Sequence, residues 1–492
     1  TLTLALTLTL SLTASPATAA PVDAHSVLEP LRALQAAGAQ VGAAFRVDGR
    51  EVAALEGDLA LNPASVSKVF SAAFAVDRLG PDFRAHLRVR QAGGGADDAV
   101  LVVSGGGDPL LKAKNLAEVA RCVAKAGVRR VARLVVDPVP FSRDSLPPAF
   151  DTKNTTAAYR AGCAGFQVDL NAIEVVVKPG RPGEPATVAV NPASAYVRIE
   201  NSTTTAAAKT KRKKSKAVPG ERPAKQEPLR IDPLAGPDGR LVVRVSGTVG
   251  AKGGATVRMR VPDPAANAGH VFLAALAAEG VKTPDRVDTT SEPPAGGREI
   301  CSRASDALSI WLEPMLQDSI NPVAEAVLRV AGSRDATGPV GFAEGIRGLS
   351  TFLQDAGLER GSFRFTNGSG LYDANRVSAR ATVRLLEHVR THPALKAVAD
   401  NLPVAGRSGT LKNRLKKTPI EGRVRAKTGT LDNAVALAGY LDLPGGKVAS
   451  FAVIVAAPEP APREKKGKAP GLDRAAARRA TDQALLRLFQ QF

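Results

Sequence analysis

Near its end the chain carries two strongly apolar runs joined by a Pro444-Gly445-Gly446 turn, "ALAGYLDLPGGKVASFAVIVAA" (436–457), with no further strand-like run beside them to join. A lone two-stranded hairpin is marginal in water, so this pair needs partners from elsewhere. The matching texture lies far upstream. "VGAAFRVDGREVAALEGD" (41–58) alternates like a hairpin, with Asp48-Gly49 at the turn. Pairing the two hairpins would bring the chain's ends into one sheet and make the region between them a long insertion.

The texture of that region supports an insertion. After a helix running from Pro63 to about Leu79, "FRAHLRVRQAGGGADDAVLVVSGGGDPLL" reads as strand, turn, strand and loop; "NLAEVARCVAKAGVRRV" is helical and "ARLVVDP" is a strand again. From about Leu170 to Val261 the pattern is all-β, with short runs such as "AIEVVVKPG" and "LVVRVSGTVG". "NAGHVFLAALAAEGV" (267–281) returns to helix, and helices dominate from about Ile300. The expected class is α+β. Residues 21–85 with 295–492 form the main domain, 86–169 with 262–294 an inserted α/β domain, and 170–261 an inserted β-rich domain with a Lys-rich loop at 205–228.

The first residues, "TLTLALTLTLSLTASPATAAPVDA", are apolar and rich in small side chains, and read as the core and cleavage site of a secretory signal over 1–20. Export is therefore expected, to the periplasm or cell envelope. The three cysteines (Cys122, Cys163, Cys301) make no disulfide framework and no metal or redox spacing, though one bridge is possible in an oxidising compartment. Five scattered histidines without H-E-x-x-H argue against a zinc enzyme. Of the formal charge of +19, Lys209–Pro228 contributes +6 and Arg463–Lys468 +3. With one Trp, four Tyr and no aromatic-basic interleaving, these segments read as solvated loops that suit an anionic envelope surface better than nucleic acid.

The chemistry sits in three short motifs. In "NPASVSKVFSAAFAVDRLG" (62–80), Ser65 and Lys68 are nearly one helical turn apart and share a face. An amine kept neutral by burial or by another cation can take the serine proton and make a nucleophile without histidine. In "QDSINPVAEAVLRVAG", Ser319 and Asn321 place a hydroxyl and an amide before an amphipathic helix. In "RVRAKTGTLDNAVALAGYLDL", Lys427 supplies a fixed cation at a strand end. Gly429 there would let a peptide approach the strand edge, and the hydroxyls of Thr428 and Thr430 could grip a carboxylate. Taken singly, each motif also suits a helix cap or a strand-to-turn step.

S-x-x-K, S-x-N and K-T-G in this order resemble the signature set of penicillin-binding proteins and serine β-lactamases. Ser319 follows Ser65 by 254 positions, too far for a β-lactamase. With the blocks "SGGGDPLL", "NGSGLYDANRVSA" (367–379) and "LPVAGRSGTLKNR" (402–414), the chain is similar to the class C low-molecular-mass penicillin-binding proteins, the D-alanyl-D-alanine carboxypeptidase/endopeptidases of peptidase family S13. The resemblance implies a split serine β-lactamase/DD-peptidase-like domain with an antiparallel sheet and two inserted domains. It also implies peptidoglycan stem peptides as substrate, β-lactams as covalent inhibitors, and no cofactor or metal. It makes Ser65 the acylated nucleophile, Lys68 its base and Ser319 the proton donor to the leaving D-alanine. Asn321 would position Lys68 and the substrate, Lys427 would set the electrostatics, and Thr428 and Thr430 would bind the terminal carboxylate. The N–H groups of Ser65 and Thr430 would form the oxyanion hole, while Gly370 and Tyr159 would line the substrate site.

Three departures stand out. Asp318 replaces the lysine common before the S-x-N serine, Pro322 follows Asn321, and Asp373 stands where the family tends to carry a basic residue. The last bears on substrate side-chain preference. The competing readings are a β-lactamase or esterase on the same fold, and an inactive envelope-binding scaffold.

Overall fold

The computed structural model describes residues 21–150, 153, 155–207, 227–236, 238–290, 292–458 and 471–492. The expected signal segment (1–20), most of the Lys-rich loop and Arg463–Lys468 lie outside the described residues. The chain opens with α1 (Ala24–Ala36), capped by the Asp23 carboxylate, which accepts the N–H groups of His25 and Ser26. β1 (Gln40–Val47) and β2 (Arg50–Leu55) follow, turned by Asp48 and Gly49, both at positive φ. α2 (Ser67–Leu79) is buried from Ser67 to Val76.

An α/β body then begins: β3 (His86–Gly93), β4 (Ala99–Ser104), α3 (Ala113–Lys125) and β5 (Val131–Asp137). The β-rich stretch supplies β6 (Ala172–Lys178), β7 (Thr187–Asn191), β8 (Val197–Thr205), β9 (Arg230–Ala235), β10 (Leu241–Val249) and β11 (Ala255–Arg260). These form two three-stranded sheets, β11-β6-β7 and β8-β10-β9, around Ile173, Val175, Val243, Val245 and Met259. The chain returns through α4 (Pro264–Ala278), β12 (Val287–Asp288) and β13 (Arg298–Ala304). The α/β sheet has order β12-β5-β4-β3-β13, and α3 is the crossover between parallel β4 and β5.

One boundary moves. The sequence reading placed residues from 295 onward in the main domain, but β13 pairs antiparallel with β3 from Arg298↔Gln91 to Ala304↔His86. "REICSRA" is too polar to stand in a core and buries only Cys301, which suits an edge strand. Cys301 is bonded to Cys122 of α3 across 179 positions, which resolves the open pairing; Cys163 is free and buried.

The rest of the main body is α5 (Leu308–Leu316), α6 (Asn321–Gly332), α7 (Phe342–Asp355), the short pair β14 (Phe363–Arg364) and β15 (Arg376–Val377), α8 (Ala379–Thr391) and α9 (Lys396–Asp400). β16 (Val424–Thr430), β17 (Ala434–Asp442), β18 (Val448–Ala456) and α10 (Arg474–Phe489) complete it. The expected meeting of the two hairpins occurs: β18 pairs with β1 from Gln40↔Ala456 to Val47↔Ala449, in the order β16-β17-β18-β1-β2. Leu28, Leu31, Leu485 and Leu488 of α1 and α10 cover one face with Phe45 and Phe451. Helices α2, α6 and α8 share a core with Ala436, Ala438 and Ile454 on the other face. Both faces are dry, so β17 and β18 read as continuous apolar runs.

Candidate active site

A lysine in the middle of this core needs partners, because burying an unpaired cation is prohibitive. Lys68 is 0% exposed, and its Nζ lies 3.0 Å from Ser65 Oγ. The amine donates to Asn321 Oδ1 at 2.7 Å and to the Ser369 carbonyl at 2.8 Å. Burial, then the nearby Lys427 charge, hold Lys68 well below the ordinary lysine range, against the opposite pull of Glu325. Lys427 is equally buried; it donates to Ser319 Oγ at 2.9 Å and to the Thr428 carbonyl at 3.0 Å. Burial alone lowers it to about 7. Two buried amines with lowered proton affinity, Lys427 at about 7, therefore flank the two serines.

The backbone around Ser65 is unusual. Residues 64–66 form a 3-10 turn, and the α-helix begins only at Ser67, four residues after the expected start. Ala64 has φ 48, a left-handed conformation that costs a non-glycine residue about 1 kcal/mol or more. Asn62 supports it: its Oδ1 accepts the Ala64 N–H at 2.9 Å, and its Nδ2 donates to the Tyr372 carbonyl and Asp373 Oδ1. Ser319 is likewise left-handed, at φ 62, just before α6. Pro322 fits because it occupies the first turn of α6, where an N–H would have no helical partner.

Two glycines are steric requirements. A Cβ on Gly370 (φ +75) would lie 1.9 Å from the Ala64 carbonyl oxygen, and one on Gly429 would lie 2.5 Å from that of Pro63. For Gly429 the structure gives a packing reason distinct from the expected room for a peptide: β16 packs directly on the turn that carries Ser65.

A cavity of about 580 Å3 opens over these groups, lined by Ser65, Ser319, Asn321, Gly370 and Thr430, with Tyr159 and Lys153 from the insertion. A larger groove of about 1090 Å3, between the inserted bodies, is lined by Arg133, Tyr196, His270 and Asp288 and contains no serine–lysine pair. A serine beside a depressed amine, with a second serine–lysine pair around the same cavity, is what an acyl-transfer site requires.

The model of the D-Ala-D-Ala carboxypeptidase 3 (S13) family matches residues 26–478. The chain belongs to that family. It is 32% identical over 450 residues to the D-alanyl-D-alanine carboxypeptidase of Actinomadura sp. (strain R39), covering 88% of this chain and 80% of that protein. It is 34% identical over 202 residues to carboxypeptidase DacB of Mycolicibacterium smegmatis, covering 40% of this chain and 43% of that protein. Penicillin binding protein 4 (dacB) of Haemophilus influenzae has the same fold, with TM-score 0.74, 21% identity and coverage of 95% of this chain and 99% of that one.

Within this S13 site the other expected residues take distinct places. Tyr159 is 52% exposed at the cavity rim, and its carbonyl accepts from Asn321 Nδ2 at 2.9 Å. The Thr428 hydroxyl donates to Thr410 Oγ1 at 2.8 Å, and Thr430 Oγ1 accepts from Arg478 at 3.2 Å. Asp373 ion-pairs with Arg376 at 2.8 Å, so the acid that replaces the family's usual basic residue is locally compensated.

Sequence reasoning missed Glu325, Ser369, Thr410 and Arg478. Glu325 was hidden by its helix: α6 reads as amphipathic, yet every residue from Asn321 to Ala331 is buried, including Glu325 and Arg329. A polar residue inside "NPVAEAVLRVAG" carries no local mark of burial. The available signal was the motif spacing, since position 325 is one turn from Asn321 and shares its face.

Proposed function

We propose that this S13 family member cleaves the D-Ala-D-Ala amide of peptidoglycan stem peptides through a Ser65 acyl-enzyme, and that β-lactams acylate the same serine. Ser65 Oγ attacks the carbonyl carbon of the penultimate D-alanine, and its proton passes to neutral Lys68. The Ser65 and Thr430 N–H groups receive the oxyanion, a contribution typically worth several kcal/mol of barrier. Ser319, beside Lys427, hands its proton to the departing amine as the C–N bond breaks and is restored by the proton that Lys68 took from Ser65, which leaves Lys68 neutral for the next step. Water then attacks the ester and D-alanine-shortened peptide leaves. Thr430, with Arg478 behind it, would receive the substrate's terminal carboxylate.

The observation that carries this reading is the buried Lys68 amine 3.0 Å from Ser65 Oγ, with its proton affinity depressed by burial and by Lys427. The D-alanyl-D-alanine carboxypeptidase of Actinomadura sp. (strain R39), similar over most of this chain, supports the substrate. A Haemophilus influenzae penicillin binding protein 4 solved in complex with a β-lactam, TM-score 0.71, supports the inhibitor through its shared fold. Export is supported by the Cys122–Cys301 bridge, which persists in oxidising compartments. No helix among the described residues is long and apolar enough to cross a membrane.

Intact-protein mass after incubation with benzylpenicillin tests the reading, in wild type and in Ser65→Ala. The expected result is a stable adduct in wild type only. No adduct with the antibiotic intact would favour an inactive scaffold. No adduct with the antibiotic hydrolysed would favour a β-lactamase.

A further inference from the structure

Behind Lys68, on the side away from the cavity, lies a carboxylate with no part in the steps above. Glu325 is 0% exposed and sits on α6 one turn beyond Asn321. Its two oxygens accept the backbone N–H groups of Gly368 at 3.0 Å and Ser369 at 2.8 Å, and the Ser369 hydroxyl adds a bond. The carbonyl of that same Ser369 receives the Lys68 amine at 2.8 Å. The 367–370 loop is thus held by Glu325 on one side and on the other meets the Lys68 amine and Ala64, the residue before Ser65.

We propose that Glu325 is a positioning residue of the acylation step: its buried carboxylate clamps the Gly368–Ser369 backbone so that the Ser369 carbonyl holds Lys68 in line with Ser65. The proposal rests on Lys68 being the base. The geometry favours the ionised acid, because everything bonded to it is a donor. A neutral acid would turn one oxygen's proton against a backbone N–H. Burial holds Glu325 above the ordinary glutamate range, with the Ser369 and Gly368 donors and then Lys68 opposing that rise. The other charged or titratable groups around the pair are few. Lys427 comes from β16, and Cys163, also buried, feels both Glu325 and Arg329. Arg329, one turn further along α6, is committed to the Ser142 and Val340 carbonyls, sits 3.6 Å from Asp144, and is sandwiched between Phe141 and Phe342. Arg160 beside α6 is turned to the Phe150 and Thr155 carbonyls.

The sign is fixed by charge. An anion beside Lys68 favours its protonated form, so Glu325 raises the pH at which the base becomes free, while Lys427 lowers it. Glu325→Gln keeps the size, removes the charge and opposes an NH2 group to one of the two backbone N–H donors. Glu325→Asp keeps the charge but is one methylene too short to hold both.

The test is the second-order rate of acylation by benzylpenicillin from pH 5 to 9, in wild type, Glu325→Gln, Glu325→Asp and Lys68→Ala, with thermal melts confirming folding. Glu325→Gln should slow acylation roughly 10- to 100-fold, as sub-ångström misplacement of reacting groups does. It should also move the acid limb down by roughly one pH unit or more. Glu325→Asp should lose rate yet keep the wild-type limb. Equal rate losses in both variants with no movement of the limb would reduce Glu325 to a structural support and overturn the proposal. So would a wild-type profile in Glu325→Gln while Lys68→Ala is dead. Wild-type acylation in Lys68→Ala would instead sink the base assignment itself, and the proposal with it.

Discussion

Gly370→Ala is the substitution whose effect follows most directly from the packing around Ser65. The added methyl would sit 1.9 Å from the Ala64 carbonyl oxygen, 2.6 Å from its carbon and 2.6 Å from Ser67 Oγ. Even a contact of about 3.0 Å, tighter than van der Waals radii allow, needs the loop and the turn to separate by about 1.1 Å. Ala64 is already strained and precedes the nucleophile, so the displacement falls on Ser65. A shift of about 1 Å at a reacting group costs about 100-fold in rate, or about 2.7 kcal/mol of barrier. The positive φ adds about 1–2 kcal/mol of backbone strain. Gly357→Ala separates the two effects: Gly357 also has positive φ (+80), just after α7, but nothing lies within 4 Å of a Cβ there. Stopped-flow acylation with a fluorescent penicillin and thermal melts of both variants are the assay. Both should melt lower, and only Gly370→Ala should lose acylation. Equal acylation in the two variants would refute the claim that this glycine holds the nucleophile's turn.

Two further outcomes concern stability. Lys68 and Lys427 both ionise lower in the folded protein than the ordinary 10.5, Lys427 at about 7. Between those values Lys427 is neutral in the folded chain and protonated in the unfolded one, so its contribution makes stability rise with pH from about 7, by about 1.4 kcal/mol per pH unit, and Lys68 acts in the same direction. Urea denaturation at pH 7 and 9 should show a shallower rise for Lys427→Met, and an unchanged slope would count against a depressed Lys427. Cys122→Ser should destabilise by about 2–4 kcal/mol, because the Cys122–Cys301 bridge closes a loop containing the whole β-rich body. A melt that neither this substitution nor reductant alters would mean that the bridge does not form.

Much of the architecture was visible before the structure because its causes are local. Continuous apolar runs around Pro444-Gly445-Gly446 and the Asp48-Gly49 step specify strands and turns. β16 takes one edge of the C-terminal pair, and the other edge, on β18, is completed by the β18–β1 ladder. The serines and lysines were legible because their chemistry needs fixed residue types at short spacings. β13 was misassigned for a related reason: seven polar-leaning residues do not say which sheet edge they complete, and the ladder to β3 and the bond to Cys122 decide it.

By itself the sequence determined the element types, the order of the three motifs and the need for an insertion between Ser65 and Ser319, since each follows from periodicity, turn chemistry or reactive-group spacing. Tertiary structure alone decided which polar groups were taken out of water. Spacing puts Glu325 on the same face as Asn321, but nothing local marks it as buried, and nothing marks Gly370 off from a flexible loop residue. Their roles arise only when α6, the 367–370 loop and the nucleophile's turn close on one another. Burial, which lowers the proton affinity of both lysines, is a property of that closure among distant segments and has no counterpart in any short stretch of the chain.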